Sequence, residues 1–248
     1  MIPLYKLNKT LAGTAAAILS LGLSFMTHAT ELPADPYQWL EEFNSPKALE
    51  WVKGQNTRSL NILQNDSRYA GLYKDALAVV TANDRVPVPS FFKDEIVTNF
   101  WQDRTHVRGL LRMTSLSSYK TNNPVWENVL DVDALSKREK ANWVFKGIHP
   151  LWPDQRLALV SLSNGGKDAV EVREFNMNSC TFVTKGFYLP EGKQNVSWID
   201  RDTLAVSREW EPGTLTESGY PYIVKILKRG QALSEAKEIF RGDKKDVA

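Results

Sequence analysis

The sequence contains a single cysteine, Cys180, and three histidines among its 248 residues. A lone cysteine excludes an intrachain disulfide, so the stability of the fold has to come from packing. His106 and His149 lie far apart, with no Cys or Glu at ligand spacing, and His28 lies close to the amino terminus. The sequence therefore predicts no metal site. It also lacks a glycine-rich phosphate-binding loop, and we predict no cofactor.

The chain also lacks a strong excess of either charge, since its formal net charge is +2 at pH 7. Lys6 and Lys9, the apolar residues 11–25 and the "THA" that ends at Ala29 form the pattern of a secretory signal peptide. An uncleaved anchor is less favoured, because the apolar run is shorter than the roughly 20 residues that a spanning helix needs. We predict cleavage after residue 29 and a secreted or periplasmic protein.

Removal of this segment takes away two lysines and no acidic residue, so the formal net charge falls from +2 to zero. A neutral chain has no electrostatic reason to bind nucleic acid or an anionic membrane surface. We therefore expect no nucleic-acid partner, and no membrane association after signal cleavage.

Residues 30–84 have a helical pattern. Asp35-Pro36 and Ser45-Pro46 each pair a helix-capping residue with proline at the first helical position. The apolar residues that follow recur near one helical face, with Trp51 beside them: Leu49, Val52, Leu60 and Leu63. "YAGLYKDALAVV" continues the pattern, which the prolines of "ANDRVPVP" end. We predict an amino-terminal helical segment over residues 30–84.

Residues 85–248 lack the strand–helix alternation of a parallel α/β domain. They carry short runs rich in β-branched and aromatic residues, which Gly, Asn, Asp and Pro separate. The clearest runs are "EIVTNFWQD", "RGLLRMTSL", "RLALVSLS", "DAVEVREF", "TLAVSREW" and "YIVKIL". Regular short strands of this kind predict antiparallel β structure, and the fold class is mainly β.

A weak internal repeat refines this prediction. Four residues recur 46 positions later, where each stretch would form a turn entering a strand: Trp152, Asp154, Val160 and Ser161 return as Trp198, Asp200, Val206 and Ser207. A period of about 40–50 residues with several strands per unit is typical of the blades of a β-propeller. We interpret residues 85–248 as an incomplete β-propeller.

The stretch "SLSNGGKDAVEVREF", residues 161–175, raises the question whether Ser163 is a catalytic nucleophile. A nucleophile elbow needs small residues two positions before and after the serine, and a helix behind it. Leu162 precedes the serine directly, and residues 169–175 alternate like a strand. We interpret the stretch as a hairpin in which Asn164 and Gly165 supply the positive φ angles of a tight turn.

A serine nucleophile also needs a base that accepts its proton. His149 precedes Pro150 in a predicted turn and His106 lies in or beside a strand, so the sequence brings neither to Ser163. A serine–lysine arrangement would use Lys167, which a hairpin places in solvent. We therefore predict no catalytic residue in this chain.

Paired carboxylates could support the hydrolysis of glycosides. The available pairs are Asp131 with Asp133 and Glu41 with Glu42. We interpret both pairs as exposed acidic residues at strand ends and on helices.

Three stretches together resemble the prolyl oligopeptidase family of serine peptidases, especially its secreted bacterial members. "DPYQWLEE" and the tryptophan and asparagine of "WVKGQN" are similar to the amino-terminal helical segment of that family. "LVSLSNGGKDAVEVREFN" resembles a propeller hairpin with a Ser-x-Gly-Gly-x-Asp-Ala pattern. "LTESGYPYIVKILKRG" resembles a further propeller motif. Three departures are Tyr222 and Leu227, where the family suggests arginine and tryptophan, and Asn176, where it suggests aspartate.

The resemblance implies a seven-bladed propeller that caps an α/β-hydrolase domain, against which the amino-terminal helices pack. The catalytic Ser, Asp and His of the family follow the propeller, so none of them is carried over to a position here. We predict an amino-terminal fragment with a signal peptide (1–29), a helical segment (30–84) and an incomplete propeller (85–248).

The resemblance implies that the complete enzyme cleaves oligopeptides through an acyl-enzyme on serine, whereas this chain alone is predicted to be inactive. The alternative is a stand-alone secreted binding module with a propeller-like surface and no catalysis.

Overall fold

The computed structural model describes residues 35–42 and 45–246. The predicted signal peptide lies outside the described residues. Within them, no helix combines the length and the apolar character that crossing a membrane requires. The chain divides into two compact units, of which the first ends at Asp66 and the second begins at Ser67.

The first unit contains a 3-10 helix, Gln38–Glu41, and the helix α1, Pro46–Gln64. The predicted helix start at Ser45-Pro46 is confirmed, since the Ser45 hydroxyl accepts a hydrogen bond from the Ala48 amide at 3.2 Å. The start predicted at Asp35-Pro36 is wrong. The Asp35 carboxylate accepts the Tyr37 amide and forms a turn, so the short helix begins only at Gln38.

The large apolar side chains of α1 are exposed to solvent within the described residues, whereas Ala48 is buried. The exposed side chains include the predicted helical face: Leu49, Val52, Leu60 and Leu63. An aromatic cluster lies at the start of the unit, where the rings of Tyr37 and Trp39 both contact Trp51 and the Lys47 ammonium lies over Trp39. A helix that presents this much apolar surface has an unused packing face.

The second unit begins with the helix α2, Tyr69–Val80, and continues as strands with two short helices between them. The strands are β1 (Ser90–Phe91), β2 (Ile96–Trp101), β3 (Leu110–Ser115), β4 (Glu127–Asp131), β5 (Trp143–Pro150), β6 (Leu157–Asn164), β7 (Val170–Asn176), β8 (Thr181–Phe182), β9 (Tyr188–Gly192), β10 (Gln194–Asp200), β11 (Thr203–Arg208), β12 (Ile223–Lys228) and β13 (Lys237–Arg241). The short helices are α3 (Leu116–Tyr119) and α4 (Val132–Glu139), and a 3-10 helix spans Leu233–Glu235. All six strands predicted from the sequence are present.

These strands form three antiparallel sheets in chain order. The first sheet has the order β1-β2-β3-β4, the second β5-β6-β7-β8 with β9 also paired to β7, and the third β10-β11-β12-β13. Consecutive antiparallel sheets of four or five strands are typical of the blades of a propeller, so the predicted mainly β fold with first propeller blades is confirmed. The domain boundary predicted near residue 84 stays a prediction; it falls between the end of α2 and the start of β1.

The 46-residue repeat marks equivalent positions of two blades. Val160 lies in β6 and Val206 in β11, each the second strand of its sheet, and both are fully buried. The predicted turn holds for Trp152, whereas Trp198 is part of β10, because the first strand of the third sheet extends further along the chain.

Two apolar cores lie between the sheets. The core between the first and second sheets includes Leu111, Leu135 and Val160, and the ring of Phe100 stacks on Phe145 at 4.6 Å. The core between the second and third sheets includes Leu159 and Leu204. Strand β6 alternates between the two cores, which explains why its apolar pattern is almost continuous.

Candidate functional site

The stretch around Ser163 forms the predicted hairpin between β6 and β7. The strands pair antiparallel up to Leu162 opposite Glu171, and the loop runs over residues 165–169. The turn predicted at Asn164-Gly165 is wrong by one residue, since the positive φ angles fall on Gly165 (+84°) and Gly166 (+82°). Asn164 ends β6, because it still pairs with Trp143 of the neighbouring strand.

Ser163 has a structural role in this hairpin. Its side chain is fully buried, and its hydroxyl donates a 2.7 Å hydrogen bond to the carbonyl oxygen of Lys167. The Lys167 ammonium is exposed and pairs with the Glu191 carboxylate at 2.7 Å. The lysine therefore contacts Ser163 through its backbone only, and its ammonium is engaged elsewhere.

Neither histidine lies close enough to act on Ser163. His149 belongs to β5 rather than to the predicted turn, and it pairs with Leu159. Leu159 is four residues before Ser163 on β6, which corresponds to about 13 Å. His106 lies in the loop between β2 and β3, where its Nδ1 is 3.2 Å from Oδ1 of Asp103.

Of the two predicted carboxylate pairs, Asp131 and Asp133 accept hydrogen bonds from backbone amides. Asp131 caps α4 by accepting the Ala134 amide, and Asp133 accepts the amides of Arg108 and Gly109. Both are half-buried, so the prediction of exposed acidic residues is wrong for this pair. The second pair, at positions 41 and 42, is exposed at the end of the first 3-10 helix, as predicted.

An ion pair connects the second sheet to the helix α4, which follows the first sheet. The Arg173 guanidinium of β7 donates to both carboxylate oxygens of Glu139, at 2.9 Å each, and also binds Glu171. The indole of Trp143 donates to the same Glu139 carboxylate at 2.8 Å. Burial raises the pKa of Glu139, but the hydrogen bonds from Arg173 and Trp143 outweigh burial and hold this pKa below its usual value.

A second ion pair connects the second and third sheets. The Arg229 guanidinium, directly after β12, donates to both carboxylate oxygens of Glu174 in β7, at 2.7 and 3.1 Å. Glu174 also accepts the Phe187 amide, and Arg229 binds Asp202. The hydrogen bonds to Glu174 raise the pKa of Arg229.

Neither ion pair was among the predictions from the sequence. Arg173 and Glu174 are adjacent charged residues in a strand, so alternation places one of them on each face, and a charged residue on a buried face needs a partner. This break in the alternation of β7 was the available signal.

Chemistry based on metals or thiols has little support in the described part of the chain. It contains no group of three or more His, Cys, Asp or Glu side chains that could hold a metal ion. Burial, with a smaller contribution from Glu127, raises the pKa of the Cys180 thiol. A thiol of raised pKa stays protonated at neutral pH and is a poor nucleophile.

The described residues thus provide packed sheets and ion pairs, and they do not combine a nucleophile with a base.

The family model described as "Prolyl oligopeptidase, N-terminal beta-propeller domain" matches residues 24–248. The uncharacterized peptidase y4nA of Sinorhizobium fredii is 50% identical over 220 residues, which are 89% of this chain. The uncharacterized peptidase RP174 of Rickettsia prowazekii is 28% identical over 240 residues, 93% of this chain.

Among solved structures, a post-proline cleaving enzyme from Rickettsia typhi superimposes with a TM-score of 0.75 at 30% sequence identity and covers 83% of this chain. The chain spans 30% of the length of the Sinorhizobium relative, 33% of the Rickettsia prowazekii relative and 31% of the Rickettsia typhi enzyme. The similarity therefore concerns the amino-terminal third of these proteins.

Proposed function

The chain belongs to the prolyl oligopeptidase family, as the amino-terminal propeller portion of such a peptidase, and we propose that the complete protein hydrolyses oligopeptides at the bond after proline. The observation that carries the proposal is the match over residues 24–248 together with three consecutive propeller blades. The similarity to the Rickettsia typhi enzyme supports the preference for proline.

The catalytic domain of the family is not among these 248 residues. In the proposed reaction, a serine of that domain attacks the peptide carbonyl, the amine product leaves, and water then hydrolyses the acyl-enzyme. The role of the present residues is to restrict access. Blades packed through continuous apolar cores form a rigid wall, and a rigid propeller admits short peptides and excludes folded proteins.

We assign the helical segment a supporting role as a surface for the hydrolase domain. The exposed apolar side chains of α1 support this assignment, and α2 carries a further exposed set: Leu72, Tyr73, Leu77, Val79 and Val80. Apolar surface of this extent is usual where a helix packs against another domain.

We further propose that the protein is exported and that its signal peptide is cleaved after Ala29. The positive charge, apolar run and small residues at positions 6–29 support this proposal. Amino-terminal sequencing of the protein from a periplasmic extract should begin at Thr30. An intact Met1 in the membrane fraction would indicate an anchor instead.

The activity is tested with the longer gene product, by which we mean the protein translated when the coding DNA is read past the codon for Ala248. We expect an open frame that contains a Gly-x-Ser-x-Gly sequence. We also expect hydrolysis of a quenched fluorescent peptide at its single Pro-X bond, and no cleavage of the matched peptide with alanine in place of proline. A stop codon followed by unrelated sequence, together with peptide binding without cleavage, would favour a stand-alone binding module.

A further inference from the structure

Each sheet carries an arginine in its third strand or directly after it. Arg112 lies in β3, Arg173 in β7, and Arg229 follows β12. Each guanidinium also lies over an aromatic ring: Arg112 over Trp101 and Trp126, Arg173 over Trp143 and Phe182, and Arg229 over Phe187. All three guanidinium groups are therefore stacked on aromatic rings near the third strand of a sheet. Their register positions differ, since Val160 pairs with Arg173 whereas its repeat counterpart Val206 pairs with Lys225 and not with Arg229.

Two of these arginines bind a carboxylate that precedes them by one sheet. Arg173 of the second sheet binds Glu139, which follows the first sheet, and Arg229 of the third sheet binds Glu174 of the second. Both contacts use two guanidinium nitrogens and both carboxylate oxygens. The first pair thus joins the second sheet to the helix α4, and the second pair joins the third sheet to the second sheet.

Arg112 is stacked on aromatic rings like Arg173 and Arg229, but within the described residues it forms no ion pair with a carboxylate. Its Nε donates to the Asn99 side chain at 2.9 Å, whereas Nη1 and Nη2 donate no hydrogen bond to any residue that the structure describes. Leu111, the preceding residue, belongs to the core shared with the second sheet, so Arg112 faces the opposite side of the first sheet. Burial lowers the pKa of Arg112, and Asp103 offsets only part of this effect.

The aromatic rings around Arg112 fix the orientation of its guanidinium group and leave part of that group available for binding. The carbon of the guanidinium lies 4.3 Å from the ring centre of Trp101 and 4.4 Å from that of Trp126. Because two rings contact the guanidinium and Nε is engaged, the two Nη atoms are left for binding, in the fork geometry that suits a carboxylate. The nearby Asp103 carboxylate is occupied by the amides of Thr105 and His106 and by the Trp101 indole.

Space for a partner exists beside this fork. A cavity of about 640 Å³ lies between the first sheet and residues 83–87, and its wall includes Arg85, Arg112, Trp101 and Trp126. The chain segment before β1 covers part of the same face, since the Asn99 amide donates to the Val88 carbonyl and the Tyr119 hydroxyl donates to the Pro87 carbonyl. The cavity is the part of the face that this segment leaves open.

The blades of a propeller form a ring around a central channel, so each blade packs between two neighbours. The face of the first sheet that points away from the second sheet therefore packs against the last sheet of the ring. The relatives are about three times as long as this chain, which leaves room for the remaining sheets. We propose that Arg112 closes the propeller by binding an Asp or Glu carboxylate that the last sheet supplies. The proposal rests on family membership and not on the peptidase reaction.

The test compares Arg112→Gln in the 248-residue chain and in the longer gene product by hydrogen exchange of the amides of β2 and β3. We expect the substitution to speed exchange at least about tenfold more in the longer product, because only there does it leave a buried carboxylate unpaired. Arg112→Lys should recover part of the protection. Arg229→Gln is the matched control. The carboxylates that Arg229 binds, Glu174 and Asp202, both lie within the 248 residues, so the substitution should speed amide exchange in β11 and β12 equally in both proteins.

Equal effects of Arg112→Gln at both lengths, or no effect at either, would overturn the proposal and confine Arg112 to its stack with the two tryptophans. If the variant does not fold, an arginine-specific dicarbonyl reagent gives the answer on the unsubstituted protein. Arg112 should react in the 248-residue chain and be protected in the longer product, and reaction in both would overturn the proposal. A reading frame that ends at Ala248 would overturn it as well. Peptidase activity does not enter these readouts, so loss of that activity would leave the proposal intact.

Discussion

The Arg229 guanidinium of the third sheet binds both oxygens of the Glu174 carboxylate in the second sheet, and only 1% of the Glu174 side chain is exposed. Removing one partner of a buried pair leaves the other without compensation. We expect Glu174→Ala to lower the free energy of unfolding by about 3 kcal/mol. Urea unfolding followed by tryptophan fluorescence measures this loss.

The matched control for this pair is Glu238→Ala, which removes the partner of Arg241 on the exposed strand β13. A solvent-exposed pair contributes little, so this variant should unfold at nearly the urea concentration of the unsubstituted protein. If the two substitutions shifted the midpoint equally, the burial of Glu174 would not be the cause of its effect.

The Glu139–Arg173 pair predicts a dependence of stability on pH. The pKa of Glu139 in the folded protein lies below its usual value, so its stabilisation is fully present above the unfolded pKa of about 4.3 and disappears as the pH falls through the folded pKa. Glu139→Gln should therefore lower the free energy of unfolding by about 2 kcal/mol at pH 7. The two proteins should converge toward about pH 3.

Unfolding in urea between pH 3 and 7 tests this convergence. Glu50→Gln on the exposed surface of α1 serves as the control and should leave the profile unchanged. A constant difference between Glu139→Gln and the unsubstituted protein over the whole range would contradict the assigned role of the carboxylate.

Gly109 is required where β3 begins. Its φ angle is +109°, and a Cβ atom there would lie 2.1 Å from the ring of Phe100, which stacks on Phe145 of the second sheet. We expect Gly109→Ala to destabilise the protein by at least about 2 kcal/mol, through backbone strain and displacement of that ring. Gly71→Ala is the matched control: nothing lies within 4 Å of its Cβ position in α2, so the change should stabilise by up to about 1 kcal/mol.

Strand β13 is an edge of the third sheet, and its Ile239 and Phe240 side chains are exposed. Exposed apolar edge strands pair with other chains. The 248-residue chain should therefore self-associate, and Phe240→Lys should raise the concentration at which it stays monomeric in sedimentation velocity. Val107→Lys, at an exposed loop position away from any strand edge, should have no such effect.

Local patterns predicted the elements of this fold better than their contacts. The strand around Val160 and its repeat at Val206 could be read from sequence, because period and turn residues are local signals. The first strands of the blades were harder to predict. His149-Pro150 reads as a turn, yet both residues belong to β5, where pairing with β6 overrides the local preference.

The sequence carries weaker signals for the contacts between blades than for the strands themselves. Nothing in the spacing of Glu139 and Arg173, or of Glu174 and Arg229, predicts that these residues meet, since the first pair joins α4 to β7 and the second joins two sheets. Ser163 shows the same limit on a smaller scale. The sequence predicted its hairpin, but the hydrogen bond to Lys167 depends on which two glycines take positive φ angles.

These residues form the propeller portion of a peptidase of the prolyl oligopeptidase family, and we propose that its nucleophilic serine lies outside residues 1–248. The decisive experiment labels the longer gene product with a fluorophosphonate and maps the labelled peptide. We predict a single labelled serine outside residues 1–248 and unchanged labelling in Ser163→Ala. If the pure 248-residue chain were labelled, and the label were lost in Ser163→Ala, the nucleophile would instead be Ser163.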